Sequence, residues 1–234
     1  MKSLAIMQPY FFPYLGYWQL IHAADRFVIY DDVNYIKGGW INRNRILING
    51  TPTYITIPLH ESSPYKRICN TSLQTSINWR DKLLKMIDNT YRKTPCFTET
   101  YPVVEKIITY ETDNLSEYLV HQLLTLADFI GIKTEFMLSS RTYENDFLCG
   151  QNRVIDICKR ENVDMYINAI GGQILYDSKT FNDAGINLNF IQMNPLPYKQ
   201  KSNVFIPYLS IIDALMEVGP IGIKEHLDSF EYIK

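Results

Sequence analysis

Leu4-Ala5-Ile6-Met7-Gln8-Pro9-Tyr10-Phe11-Phe12-Pro13-Tyr14-Leu15-Gly16-Tyr17 opens a pattern that runs on to Asp31-Asp32. The apolar run from Leu4 to Met7 is too short for a helix and stops at Gln8 and Pro9, as a buried strand does. Beyond Pro13, the residues Tyr17, Leu20, Ile21 and Ala24 recur at helical spacing. Phe27 to Tyr30 is a second apolar run, ending in the two carboxylates. Strand, loop, helix and strand within about 30 residues make one βαβ unit. Such a unit pairs its strands in parallel through a right-handed crossover.

The same rhythm returns late in the chain. Thr134 to Leu138 reads as strand, Asn152 to Glu161 as helix and Met165 to Asn168 as strand. Leu175 to Ala184 then reads as a helix ending at Gly185, and Asn187 to Ile191 closes the series. Between the two halves, Arg45-Ile46-Leu47-Ile48 and Tyr54-Ile55-Thr56-Ile57 flank Asn49-Gly50, a dipeptide suited to the positive φ angles of a tight hairpin. Leu83, Leu84, Ile87 and Tyr91 share one helical face, and Leu115, Tyr118, Leu119, Gln122 and Leu126 do the same before Gly131. The reading predicts an α/β protein with a mostly parallel, doubly wound, Rossmann-like sheet, a β-hairpin insertion and a helical middle segment. With 234 residues, 46% of them hydrophobic, one domain spanning 1–234 is expected, its residues 79–131 forming the helical insertion.

Charge narrows the partners. Lys and Arg total 23 against 25 Asp and Glu, a net charge of -2, so no basic surface recommends nucleic acid. No run approaches the ~20 apolar residues of a membrane span. Gln8, Pro9 and Pro13 break the first apolar stretch, unlike the core of a signal peptide, and a cytoplasmic protein is expected. Cys69, Cys96, Cys149 and Cys158 form no Cys-x-x-Cys pair, and no two of His22, His60, His121 and His226 lie three or four residues apart. Reduced, mostly buried thiols and no structural metal follow as expectations. The residues name no cofactor.

Three polar loops carry the candidate chemistry. In the first, Gln8, Tyr14, Gly16 and Tyr17 occupy the turn from the first strand into the first helix. A glycine there lets a ligand approach helix N–H groups, which favour phosphate or carboxylate. Aromatics beside prolines serve equally to wedge a loop against the core. In the second, Asp31-Asp32-Val33-Asn34-Tyr35-Ile36-Lys37-Gly38-Gly39-Trp40-Ile41-Asn42-Arg43-Asn44-Arg45 packs carboxylates, cations and amides together. Asp31 and Asp32 are candidates for a base or for sugar hydroxyls. Lys37 and Arg43 suit anionic oxygens, and Asn42 and Asn44, near Trp40, suit polar substituents. Asp, Asn and Gly also build plain turns. In the third, Gly171 and Gly172 stand between a strand and a helix, where close backbone approach to a phosphate or an ordinary turn both fit. Gln200 and Asp213 add polar groups downstream.

Tyr14-Leu15-Gly16-Tyr17, followed by Ala24-Asp25 before the second strand, resembles the His-x-Gly-His turn of the nucleotidylyltransferase-like group. That likeness implies the fold; tyrosines replace both histidines and no Lys-Met-Ser-Lys-Ser-like loop is present, departures that count against adenylyl transfer. Taken with Asp31-Asp32-Val33, Gly39-Trp40-Ile41-Asn42-Arg43-Asn44 and Ser210-Ile211-Ile212-Asp213, the set resembles the WbqC-like family nearly end to end. The resemblance implies a role in bacterial O-antigen and surface-polysaccharide biosynthesis, on activated, often amino-bearing sugars. The expected function is a transferase that acts on a phosphorylated or nucleotide-linked sugar, adding an acyl or aminoacyl group to an amine. Asp32 would deprotonate the acceptor while Arg43 and the glycine turns hold phosphate. A nucleotidylyltransferase-like enzyme and a non-catalytic sugar-binding or partner module stand as alternatives. The 17 tyrosines suit a homo-oligomeric interface, a core or a sugar-stacking wall alike.

Overall fold

Strands β1 (Ser3–Met7) and β2 (Arg26–Ile29) pair in parallel, Leu4 opposite Arg26 through Met7 opposite Ile29, on either side of helix α1 (Leu15–Ala23) in the chain. A computed structural model describes residues 2–194 and 197–233; Met1, Pro195, Leu196 and Lys234 lie outside them. The hairpin follows as strands β3 (Arg43–Ile48) and β4 (Thr51–Thr56), with Ile48 opposite Thr51. Its turn residues Asn49 and Gly50 have φ of 50° and 76°. Positive φ at both central positions is what a two-residue turn of matching twist requires. Strands β5 (Leu59–His60) and β6 (Ser72–Leu73) make a further small pair.

The middle segment holds helices α2 (Trp79–Tyr91), α3 (Phe97–Ile108) and α4 (Leu115–Ile130). Asn78 caps α2 by accepting from the Asp81 N–H, and Asn114 caps α4 by accepting from the Glu117 N–H. Gly131 ends α4 at φ 82°, in the left-handed region glycine tolerates. The chain then re-enters the sheet as β7 (Glu135–Met137), helix α5 (Gly150–Arg160) and β8 (Met165–Ala169). Helix α6 (Ser178–Asp183), β9 (Asn187–Met193), helix α7 (Ile211–Leu227) and β10 (Phe230–Ile233) complete it.

The central sheet runs β10-β9-β8-β1-β2-β7. All neighbours are parallel except β10, which lies antiparallel on β9 and continues the series beyond the strand expected to close it. Side chains alternate between two cores. Ala5, Phe27, Ile29, Ile167 and Ile191 pack with α1, α4 and α7, while Leu4, Ile6, Val28, Tyr166 and Leu188 pack with α5 and α6. Burial on both faces explains why these strands read as unbroken apolar runs. The expected helix from Leu175 starts only at Ser178, because Asp177 caps it by accepting from the Thr180 N–H at 2.8 Å. Residues Ile170–Leu175 instead form a tight helical turn with no buried side chain. Among the described residues no helix is long and apolar enough to cross a membrane.

Candidate functional site

Chain order along the sheet changes direction between β1 and β8. A cleft of about 480 Å³ opens there, beyond the carboxyl ends of both strands. Open α/β sheets place their ligands at this reversal, where the connections leave to opposite sides and expose the strand ends. Met7 and Gln8 come from the end of β1, and Asn168, Ala169, Gly171 and Gly172 from the end of β8. Tyr10, Tyr14, Gly16 and Tyr17 form the wall toward α1, with Tyr30, Ile36 and Trp40 from the loop after β2. Tyr10, Tyr14 and Trp40 also line an adjoining cavity of about 280 Å³, together with Asn44, Arg45 and Tyr208.

The glycines play different parts. A Cβ on Gly171 would meet nothing within 4 Å, so its backbone faces open cleft, whereas one on Gly172 would stand 3.1 Å from the Asn168 amide. At Gly16 a Cβ would come within 2.5 Å of the Tyr14 ring and 3.2 Å of the Met193 sulfur. The room left by the missing side chain is therefore taken by the Tyr14 ring, which forms the wall. Gly16→Ala is expected to push that ring into the cleft, altering the near-ultraviolet circular dichroism while leaving the far-ultraviolet spectrum intact; unchanged aromatic signals would count against this packing.

The wall offers donors more than bases. Burial pushes the phenols of Tyr10, Tyr14 and Tyr30 above their ordinary range and Tyr17 further still, so all four stay protonated near neutrality. Tyr17 donates to the Gln8 carbonyl at 2.9 Å and holds the end of β1 in place. Asn168 donates to the Tyr166 hydroxyl at 3.0 Å and accepts from the Ala169 N–H at 2.7 Å, which fixes its amide. No carboxylate, imidazole or thiol stands among the described residues that line the cleft.

Of the residues expected to bind, Gln8, Tyr14, Gly16, Tyr17, Trp40, Gly171 and Gly172 meet in the cleft, and Asn44 lines the adjoining cavity. The other polar candidates lie elsewhere. Asp31 is wholly buried, accepting from Ser116 Oγ at 2.7 Å and Ser139 Oγ at 2.6 Å. Asp32 accepts from Ser140 Oγ and from the Arg153 guanidinium, each at 2.5 Å. Asn42 accepts from the Tyr35 hydroxyl and donates to the Ile57 carbonyl. Arg43 donates to the carbonyls of Gly38 and Gly39 in its own turn and covers the Tyr54 ring at 4.5 Å. Lys37 is exposed on that turn. Asp213 accepts from Tyr91, Tyr198 and Gln200 at 2.8, 2.9 and 3.1 Å, a buried network between α7, α2 and the loop before α7.

Residues 8–225 match the profile of the WbqC-like protein family. The chain belongs to that family. The match starts at Gln8, so nearly all of the cleft wall of this WbqC-like protein falls inside it. It is similar to a curated protein of Mycobacterium tuberculosis (strain ATCC 25618 / H37Rv), "Uncharacterized protein Rv1507c", with 26% identity over 222 residues, 94% of this chain and 95% of that one. No solved structure matches it. Sequence reasoning passed over the cleft residues Tyr30 and Tyr176 of this WbqC-like protein, and it gave no individual binding role to Ile36, Asn168 and, next door, Arg45 and Tyr208, which it met only as members of polar stretches. Asn168 carried a signal as the last polar residue before the glycine pair, and Tyr30 as the residue following the second strand. Tyr176 carried none.

Proposed function

We propose that this WbqC-like protein binds a nucleotide-linked sugar in the cleft beyond β1 and β8, and transfers an acyl or aminoacyl group to an amine of that sugar in cytoplasmic surface-polysaccharide biosynthesis. The observation that carries the reading is the wall itself: aromatic rings, fixed amides and open glycine backbone around about 480 Å³ at the reversal of the sheet. That volume falls within the roughly 300–1,000 Å³ of small-molecule sites. Flat rings stack on a base or on the apolar face of a sugar. The order β10-β9-β8-β1-β2-β7, with its reversal between β8 and β1, supports reading the sheet as Rossmann-like.

With no carboxylate among its described wall residues, the cleft suits an amine acceptor. A neutral amine attacks the carbonyl carbon of the acyl donor through its own lone pair; the C–N bond forms as the bond from that carbon to the donor's leaving group breaks, and the surplus N–H proton passes to the leaving group or to water, so the step needs orientation more than a strong base. The protonated phenol of Tyr30, which lines the main cleft, supplies a hydrogen bond to the oxyanion that forms. Asp31 and Asp32 brace the end of β2 in this scheme, and Lys37 sits between Ile36 and Trp40 on the rim turn, where an anionic ligand group arrives.

Trp40 supplies the test, since it lines the cleft. Titration with nucleotide-diphosphate sugars is expected to give saturable quenching of its fluorescence, and Gly171→Trp, which fills the open space, weakens binding by at least about tenfold, or ~1.4 kcal/mol. No binding by any of them, or binding indifferent to Gly171→Trp, refutes the reading. The absence of an ionisable base among the described wall residues favours one second reading, a sugar-binding module without turnover. Mass analysis of the sugar after incubation with acyl donors separates the two: an added acyl group establishes the transferase, and intact ligand establishes the module.

A further inference from the structure

Arg45 stands on β3 two residues after Arg43, on the same side of the strand, yet the two guanidinium groups are used differently. Arg43 spends its N–H groups on its own turn. Among the described residues Arg45 makes no ion pair and its side chain donates no hydrogen bond, although its Nε is buried. Its carbon Cζ lies 5.5 Å from the centroid of the Trp40 ring. Stacking engages the face of a guanidinium and leaves the N–H groups along its edge free for an acceptor in the plane. The group lines the cavity of about 280 Å³ that shares Tyr10, Tyr14 and Trp40 with the main cleft.

The rest of that cavity wall repeats the same chemistry. Asn44 has no amide hydrogen to spare, because it donates to the carbonyls of Phe11 and Phe12, and its Oδ1 accepts from the Arg45 backbone N–H. It therefore positions Arg45. Tyr208 reaches the wall from a left-handed backbone, φ 60°, and its ring stands edge-on to Tyr14 at 5.7 Å. A non-glycine residue in that region persists where the surroundings hold it, and such positions cluster at ligand sites. Among the described residues no carboxylate lines the cavity, and the polar side chains left to meet a ligand there are those of Tyr10, Tyr14, Tyr208 and Arg45.

We infer that Arg45, with the hydroxyls of Tyr10, Tyr14 and Tyr208, forms a phosphate subsite that continues the main cleft. A tetrahedral phosphate directs its oxygens to all sides, so it can accept from a guanidinium edge and from phenols placed around it, whereas a carboxylate accepts mainly in its own plane. The inference rests on the proposed nucleotide-sugar reading, whose diphosphate would lie here while base and sugar occupy the cleft.

Three probes separate the parts: inorganic pyrophosphate, uridine, and a uridine-diphosphate sugar, each titrated into the purified full chain. Pyrophosphate is expected to bind, to bind less tightly as salt rises, and to lose at least about tenfold in Arg45→Gln. Arg92→Gln, which removes an equal charge from an exposed pair with Asp88, should bind as the parent does. Should Arg45→Gln fail to fold, Arg45→Lys keeps the charge and the apolar stem but lacks the planar fork, and a smaller yet measurable loss is expected. Pyrophosphate that does not bind, or that binds equally to the parent and the Arg45 variants, overturns the subsite. If the uridine-diphosphate sugar binds and is blocked by Gly171→Trp but ignores Arg45→Gln, the subsite fails and the cleft reading stands. If pyrophosphate depends on Arg45 while neither uridine nor the nucleotide sugar binds, the subsite stands and the cleft reading fails.

Discussion

Replacing Arg153 by methionine is expected to cost the fold about 3–5 kcal/mol, the range for leaving a buried charge without its partner. The Arg153 and Asp32 side chains are 4% and 3% exposed and 2.5 Å apart. The guanidinium also donates to Asn145 Oδ1 at 2.9 Å and lies 5.0 Å from the centroid of the Tyr30 ring, one wall of the cleft. Asp32 in turn accepts from Ser140 Oγ, so the pair ties the end of β2 to the turn Ser140–Tyr143 and to α5. Methionine replaces the apolar stem but leaves the carboxylate uncompensated. For a chain of this size the loss corresponds to a fall in Tm of roughly 6–20 °C. Removing both charges in Asp32→Leu with Arg153→Met is expected to recover much of it, because the desolvation cost of each ion goes too. A thermal melt within about a degree of the parent for Arg153→Met would show that the pair braces nothing. Asp32→Asn then divides bracing from chemistry: a lower Tm with unchanged ligand affinity and turnover marks a brace, and lost turnover at an unchanged Tm marks a reacting group.

Asp213 yields the second large effect. Asp213→Ala strands two phenol donors, Tyr91 and Tyr198, in a buried site, at a cost on the order of 3 kcal/mol, while Gln200 keeps the Ile206 carbonyl as acceptor. Its pH signature is more specific. Burial raises the carboxyl above its ordinary value of 3.8, against the hydrogen bonds from Tyr91, Tyr198 and Gln200, which lower it. Between the unfolded and folded values the native chain holds a proton that the unfolded chain has released. Its contribution to stability is therefore full below the unfolded value and is lost as pH rises through the folded one. Glu217 is raised too, by burial first and by the Asp213 charge next, so it acts in the same direction. Asp25, held low by hydrogen bonds from Ser3, and Asp146, held low by Arg67, act in the opposite direction in both proteins and cancel in a difference. Urea midpoints of the parent and Asp213→Asn, compared from about pH 4 to pH 8, should show the parent losing ground as pH rises. A difference independent of pH would mean that Asp213 titrates alike in the folded and unfolded chain.

Both effects concern side chains whose polarity drew attention in the sequence for another reason. The loop from Asp31 to Arg45 is dense in charge and amide groups, and density of that kind signals partners without naming them. Asp32 finds its partner 121 residues away, and Asp31 finds a serine 85 residues away. Tyr30, the neighbour of this pair in the chain, turns to the cleft instead. Arg43 and Arg45 share a strand and a face, and only the position of Gly38 and Gly39 beside the first leaves the second free. Gly16 and Gly171 both read as approaches for a ligand, yet a tyrosine ring fills the space at one and open cleft the space at the other.

Local rules by themselves determined the βαβ unit, the hairpin at Asn49-Gly50, the helix stop at Gly131 and the burial of the sheet on both faces. Each depends on a period of two or 3.6 residues or on a φ angle, quantities that neighbouring residues set among themselves. Only the tertiary structure decided the antiparallel edge strand β10, the scaffold partners of Asp31, Asp32 and Asp213, and the gathering of Gln8, Trp40 and Gly171 around one cleft. These depend on which distant segments the packing of two apolar cores brings within hydrogen-bond range, and that distance is a property of the assembled sheet.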